Sequence, residues 1–223
     1  MSSPLPKFVR GFEKNRLEAL ADGIFAVALT LLVLDIKLPD EVEFTSNDAL
    51  WARLVELERH FAVYVISFIV IAMYWVSHQL QFHFVRYTDR RLIWINMFWL
   101  LLISFLPFAT DLMGDHKQLV LPCEIYGVTL ISISAVSFMH LEYMMHHPYL
   151  TTREFTHDIA VMLKHRILWF TLIPVASMIA AFYSTHAAVY MYMMLVFAHF
   201  LTSRIDERIH CEPPSPPDAA PRE

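Results

Sequence analysis

Long apolar runs with few charges recur along this chain and constrain its fold more than any other feature. With its interfacial ends, each run reaches about 20 residues, the length that a helix needs to cross a hydrocarbon core roughly 30 Å thick. The runs are continuous and do not alternate with a period of two, which excludes a membrane β-barrel. A content of 57% hydrophobic and 17% charged residues is typical of membrane proteins. We therefore predict an all-α polytopic membrane protein with six transmembrane helices, centred on Ile24–Leu34, Phe61–Val76, Leu92–Thr110, Pro122–Phe138, Ile167–Tyr183 and Ala187–Phe200.

The lysines and arginines predict the orientation, because cytoplasmic loops retain basic residues. With alternating sides, one side collects 13 of the 17 basic residues and the other side holds Lys37, Arg53, Arg59 and Lys117. This asymmetry places both termini in the cytoplasm of a multi-pass protein of the cell membrane. A cleaved signal peptide is disfavoured, because no small-residue cleavage site follows the first run.

The polar segments divide the chain into three parts. Residues 1–15 are predicted to form a cytoplasmic N-terminal arm, residues 16–204 the transmembrane domain, and residues 205–223 a disordered, proline-rich cytoplasmic tail. In the loop after the first run, apolar residues recur at helical spacing between Asp48 and Arg59, which predicts a helix that either lies at the interface or extends the second span.

The first span brings charged residues to the membrane. Arg16 and Asp22 enter the same helix that then becomes wholly apolar, and a carboxylate near hydrocarbon needs a partner. His78 and Asn96 lie on the same predicted side of the second and third spans, so one network could join all four groups. Alternatively, Arg16 and Asp22 are interfacial residues that reach the headgroups.

A stripe of residues on the first span shares one helical face. Gly23, Val27, Thr30 and Leu34 recur every three or four residues, so their side chains point the same way. Such a face suits close contact with identical helices. A stripe of this kind is more often a packing seam than a pore lining, and spacing alone leaves both interpretations open.

The run from Arg16 to Pro39 resembles the first helix of bacterial members of the transmembrane protein 175 family, which are relatives of the endolysosomal potassium channel. That family is marked by an arginine, then Phe-Ser-Asp-Gly, then an apolar helix with a threonine. The likeness is strong over the first three spans, and spans four to six match only in number and length. Further similar residues stand in the family's order at Tyr64–Phe68, Trp75–His78, Asn96 and Phe105–Thr110.

The resemblance implies a potassium-selective cation channel made of four six-helix subunits, with a pore lined by the first helix of each subunit. By position, the narrowest ring falls on Val27, with Leu34 as a second apolar ring and Thr30 as a hydroxyl layer between them. Leu20 and Ala21 depart from the family's phenylalanine and serine. Val27 is also smaller than the residue usual at the constriction, which predicts a wider neck and weaker selectivity.

A structural network beside the pore helix is expected at Arg16, Asp22, Trp75, His78 and Asn96. The expected partners are potassium ions, the lipid bilayer and copies of the same chain, most simply as a homotetramer. No cofactor, metal or nucleic-acid partner is predicted, and the chain is not expected to be an enzyme.

Three other functions remain open. A proton-conducting channel could use Asp22 and His78, because histidine titrates near neutral pH. A secondary transporter would show inverted repeats and broken helices, and only Pro107 and Pro174 suggest kinks. A metal or haem membrane enzyme is disfavoured, because few of the twelve histidines fall in or near the spans.

Overall fold

The computed structural model describes residues 14–38, 46–116 and 118–194. Within these ranges the chain is all-helical, as predicted, and adds one isolated antiparallel bridge between Val85 and Thr151. The α-helices are α1 (Lys14–Leu31), α2 (Asn47–Glu56), α3 (Glu58–His83), α4 (Arg90–Asp115), α5 (Val120–His146) and α6 (His157–Ala181). Short 3₁₀ segments occur at Leu32–Asp35 and Pro148–Leu150.

Five helices in the described part of the chain are long and apolar enough to cross a membrane: α1 with its 3₁₀ extension, α3, α4, α5 and α6. The chain is therefore a multi-pass membrane protein. The predicted sixth span begins within residues 185–194, which are helical, and its remainder lies outside the described residues. Most of the predicted N-terminal arm and all of the predicted tail also lie outside them.

The polar segments between spans form the local structures that their residues favour. The helix predicted after the first span is α2, which ends before α3 begins, and the Ser46 hydroxyl caps α2 by accepting a hydrogen bond from Ala49 N at 3.2 Å. Asp89 caps α4 through Leu92 N at 2.8 Å, and α5 ends at His146, just before Pro148.

The spans pack in a simple order. α1 lies against α3 and α4, α4 packs on α3 and α5, and α5 packs on α6. A large apolar core contains Ala21 and Phe25 of α1 together with Ile66, Ile103 and Ile133 of the other spans. A smaller core lies towards the α3–α4 loop around Leu17, Phe82, Leu92 and Leu141.

Gly127 permits a close approach between helices in this bundle. A Cβ at this position would lie 2.5 Å from Met178 Cγ of α6 and 2.7 Å from the Tyr192 hydroxyl. Small residues let membrane helices approach closely, so Gly127 sets the spacing of α5 against α6 and the helical residues 185–194.

Candidate functional site: the uncovered face of the first helix

The first helix has two faces with opposite environments. Leu17, Ala21, Phe25 and Ala28 are buried against the bundle, with Ala21 and Phe25 almost fully so. The predicted stripe lies on the other face, and all four of its residues, Gly23, Val27, Thr30 and Leu34, are exposed. Val27 is 56% exposed and Leu34 is 58% exposed. We call this set the α1 stripe.

The open space beside Gly23 is further evidence that this face is uncovered by the described residues. Among the described residues outside its own helix turns, no heavy atom lies within 4 Å of where a Cβ on Gly23 would stand. The described part of the chain therefore leaves the α1 stripe uncovered, and any close partner of this face lies outside the described residues.

Thr30 supplies the only side-chain oxygen of the α1 stripe. Its hydroxyl lies 3.0 Å from the Ala26 carbonyl oxygen and 2.9 Å from the Val27 carbonyl oxygen, and it donates within its own helix. Because the proton is used in this way, the oxygen lone pairs are what Thr30 presents outward. An oxygen in this state can accept a hydrogen bond or coordinate a cation.

Asp22 stands at the start of the α1 stripe and is held by two side chains of α3. Its Oδ1 accepts a hydrogen bond from Trp75 Nε1 at 2.8 Å and another from Gln79 Nε2 at 2.8 Å. Trp75 and Gln79 are four residues apart, so they share one face of α3. Sequence reasoning missed Gln79, although its spacing from Trp75 could have indicated it.

The predicted network is divided in the structure. His78 Nε2 lies 3.0 Å from Asn96 Oδ1, and both residues are buried, so this pair forms as expected. Asp22, however, is bonded to Trp75 and Gln79 in place of His78, and no hydrogen bond or ion pair joins it to the exposed Arg16 among the described residues. The reason is helical geometry: His78 points about 100° away from Gln79, into the core between α3 and α4.

The His78–Asn96 pair belongs to a stack of rings that sequence reasoning did not anticipate. The His78 ring stacks on Trp99 with centroids 5.0 Å apart and on Phe82 with centroids 4.2 Å apart. Phe82 stacks in turn on His140 at 5.5 Å. Phe25 of α1 contacts the Trp99 ring at 5.6 Å, so the buried face of α1 rests directly on this stack.

Two further side chains of the stack, Trp99 and His140, each form one hydrogen bond to another helix, whereas His78 Nδ1, Asn96 Nδ2 and His140 Nε2 are buried without one among the described residues. Trp99 Nε1 donates to the Ser137 hydroxyl at 2.8 Å, and His140 Nδ1 lies 2.9 Å from Gln81 Oε1. These bonds join α3 and α4 to α5 inside the membrane, where an unpaired polar group is costly.

A second polar cluster lies where the α3–α4 loop meets the end of α5 and the α5–α6 loop. Asp89 Oδ2 accepts hydrogen bonds from the Tyr143 hydroxyl at 2.6 Å and from the Tyr149 hydroxyl at 3.1 Å. Burial alone raises the pKa of Asp89, but the hydrogen bonds from Tyr143, Leu92 N and Tyr149 outweigh it, so the pKa lies below the usual 3.8. The ionised carboxylate therefore stabilises this junction.

A metal enzyme would need a cluster of ligands, and a transporter would show broken helices. Among the described residues, no group of three or more histidine, cysteine, aspartate or glutamate residues is placed to hold a metal ion. Pro107 and Pro174 lie inside α4 and α6, and both helices continue through them.

Taken together, the described residues define a helical multi-pass membrane protein, and they pack on one face of its first helix and leave the other face uncovered. The model of the family described as endosomal/lysosomal potassium channel TMEM175 matches residues 16–107. This segment contains the α1 stripe, the Asp22 contacts and the His78–Asn96 pair, and over it the chain is similar to the TMEM175 family.

Known proteins similar to the chain include bacterial and vertebrate ones. A protein of Chryseobacterium sp. strain P1-3 named a potassium channel is 33% identical over 129 residues, which are 58% of this chain and 63% of that protein. The human protein named endosomal/lysosomal proton channel TMEM175 is 26% identical over 136 residues, which are 61% of this chain and 27% of that protein. The chain spans between one half and two thirds of the length of the bacterial relatives it matches.

A solved structure extends the likeness beyond the first three spans. The crystal structure of a lysosomal potassium-selective channel TMEM175 homologue from Chamaesiphon minutus superposes with a TM-score of 0.71 at 25% identity. The superposition covers 85% of this chain and 97% of that one. The later helices, for which the sequence resemblance was limited to number and length, therefore share the fold as well.

Proposed function

We propose that this chain is a subunit of a cation channel that conducts potassium in preference to sodium, with a pathway lined by α1 from each subunit. The observation that carries the proposal is the uncovered α1 stripe. A helix packed on one face and bare along Val27, Thr30 and Leu34 is suited to meet identical helices around an axis. Similarity to the Chryseobacterium potassium channel and to the potassium-selective channel of Chamaesiphon supports the same function.

Val27 and Leu34 would form two apolar rings along such a pathway. Rings of aliphatic side chains stop ions when the neck dewets, because methyl groups cannot replace the water that an ion loses. Thr30 lies between the two rings and presents oxygen lone pairs. Selectivity would then arise from the cost of dehydration, which is lower for potassium than for sodium, together with this oxygen layer.

The assembly and its orientation form part of the proposal. One helix per subunit cannot enclose a pathway, so the channel requires several copies of the chain, and we take the number to be four. The asymmetry of 13 basic residues against 4 supports a cell-membrane protein with both termini in the cytoplasm.

The Asp22 contacts would orient α1, the helix that lines the pathway. Asp22 itself would not line the narrowest part. By accepting hydrogen bonds from Trp75 and Gln79, Asp22 fixes the start of α1 against α3. This contact sets the rotation of α1 about its own axis, and that rotation decides which residues face the symmetry axis.

Proton conduction is the second candidate function, and one relative favours it. The human protein is named a proton channel, and Asp22 is a titratable group next to the α1 stripe. Ion replacement distinguishes the two functions. Flux that persists when potassium is replaced by a large impermeant cation, and that follows the pH gradient, would identify the proton as the carried ion.

Potassium flux into liposomes that contain the purified protein tests the main proposal. We expect flux from the wild-type protein and an increase of roughly tenfold for Val27→Ser, because a hydroxyl ring wets the neck and about 1.4 kcal/mol of barrier corresponds to tenfold in rate. Val128→Ser on α5 is the matched control, since Val128 is a valine of similar exposure, 52%, on another span. Absence of flux from the wild-type protein, or an equal response to both substitutions, would contradict the proposal.

A further inference from the structure

The line of the α1 stripe continues beyond Gly23 towards the start of the helix and ends on a charged side chain. At about 100° per residue, Leu20 and Arg16 lie within about 20° of Val27 around the helix axis, two and three turns before it. Both side chains are exposed, Leu20 to 43%. Arg16 therefore stands on the uncovered face of α1, about 16 Å along the axis from Val27.

The other charged residues of α1 point away from this face. Lys14 pairs with Glu18 at 3.4 Å, and Glu18 lies about 180° from Val27 around the axis. Asp22 lies about 140° from Val27 and is bonded to side chains of α3. Arg16 is therefore the only charged residue that α1 presents on the face of the α1 stripe.

The Arg16 guanidinium has no neutralising partner in the described part of the chain. Among residues 14–38, 46–116 and 118–194, no hydrogen bond or ion pair engages it, although Asp22 lies only six residues further along the helix. An arginine side chain keeps its positive charge in proteins. The uncovered face of α1 thus consists of an apolar stretch with one hydroxyl and a full positive charge at one end.

We propose that Arg16 forms a ring of positive charge at the mouth of the conduction pathway where α1 begins, and that this ring holds back divalent cations more than potassium. The inference rests on the proposed function, because the ring exists only if α1 of each subunit faces a common axis. Arginine side chains and charged rings can act as electrostatic barriers in pores. Because the Coulomb energy is proportional to the charge of the ion, the barrier for a divalent cation is twice that for potassium.

Coulomb's law in water gives the size of the effect. Four guanidinium groups about 8 Å from an ion, roughly one Debye length at 0.15 M salt, would reduce potassium entry about threefold and entry of a divalent cation about tenfold. At 1 M salt the Debye length falls to about 3 Å, and the effect nearly disappears. Potassium therefore still passes through this mouth at moderate salt, whereas magnesium is strongly disfavoured there.

Single-channel currents of the protein in planar bilayers test the inference. In symmetrical potassium chloride at about 0.15 M, Arg16→Gln should raise the current that enters at the α1-start mouth about threefold and change the opposite current little. At about 1 M the two proteins should conduct alike. Magnesium chloride is then added to each side in turn, and from one side it should inhibit Arg16→Gln at an about tenfold lower concentration than wild-type protein.

Three further variants identify charge as the cause. Arg16→Lys keeps the charge and should behave as the wild-type protein, whereas Arg16→Glu reverses it and should raise entry at this mouth further than Arg16→Gln does. Lys14→Gln is the matched control, because it removes a positive charge two residues away on another face of the same helix, and it should leave both currents unchanged. The current in the opposite direction reports the folding and assembly of every variant.

The inference is overturned if wild-type protein and Arg16→Gln carry equal currents in both directions, if their difference is the same at both salt concentrations, or if Lys14→Gln has the same effect. Each of these results comes from channels that conduct, so each leaves the proposed function standing. A wild-type protein that passes no current contradicts the proposed function itself, and the ring with it.

Discussion

The two faces of α1 have similar hydropathy but differ in burial. One face, with Ala21, Phe25 and Ala28, is sealed against α3 and α4, and the other, with Val27 and Leu34, is covered by none of the described residues. Both faces are apolar in sequence, so hydropathy alone does not distinguish them. In a membrane protein, therefore, an apolar surface identifies neither core nor partner, because lipid, a neighbouring helix and a dewetted pathway all accept the same side chains.

The largest effect expected from this comparison is on stability. Phe25→Ala should lower the free energy of unfolding by about 3 kcal/mol, because the ring is buried against Trp99 and its loss leaves a cavity. Val27→Ala, on the uncovered face of the same helix, should change it little. The thermal unfolding of the detergent-solubilised protein measures both, and equal losses would show that the two faces are not energetically distinct.

The second-largest effect on stability is expected at Asp22, whose contacts fix the rotation of α1 about its own axis. Asp22→Ala should destabilise the protein by about 2 kcal/mol, because Trp75 and Gln79 lose the acceptor that they share. Asp22→Asn retains a carbonyl oxygen for both donors and should cost less. The same unfolding assay compares the two variants. If Asp22→Asn is as harmful as Asp22→Ala, the charge of Asp22 matters more than its hydrogen bonds.

The smallest effect on stability is expected at Asp89, outside α1, and it serves as a reference for the α1 variants. The folded-state pKa of Asp89 lies below 3.8, so the ionised group adds stability above that pH, and this contribution is lost as the pH falls through the folded-state value. Asp89→Asn should therefore cost on the order of 1 kcal/mol at neutral pH and less below about pH 4. Unfolding measured across this range should show the two proteins converging, while potassium flux per folded subunit at neutral pH stays unchanged.

Much of the architecture could be predicted from the sequence because hydropathy and length act locally. The runs around Phe61–Val76, Leu92–Thr110 and Pro122–Phe138 became α3, α4 and α5, and each observed helix extends beyond its run into polar residues. Gln81, Asp89 and Tyr143 lie in those extensions and in the loops beside them. Hydropathy does not indicate which of these polar residues form contacts between helices. Pairing between two loops, such as Asp89 with Tyr149, depends on the relative placement of helices that are distant in sequence.

The site was predicted in part for the same reason. The shared face of Gly23, Val27, Thr30 and Leu34 follows from a period of 3.6 residues, and the His78–Asn96 contact follows from two polar residues at similar depth. The partners of Asp22 did not follow, because the choice between His78 and Gln79 depends on how α3 is rotated about its axis. A rotation of about 100° exchanges one for the other.

The sequence by itself determined that this chain is a bundle of membrane-crossing helices, and it determined which residues of the first helix share a face, because both depend on short-range periodicity and on the thickness of a bilayer. Only the tertiary structure decided which face of α1 is sealed and which groups hold Asp22. Those features depend on the rotation and spacing of whole helices, which are set by packing between residues far apart in the chain.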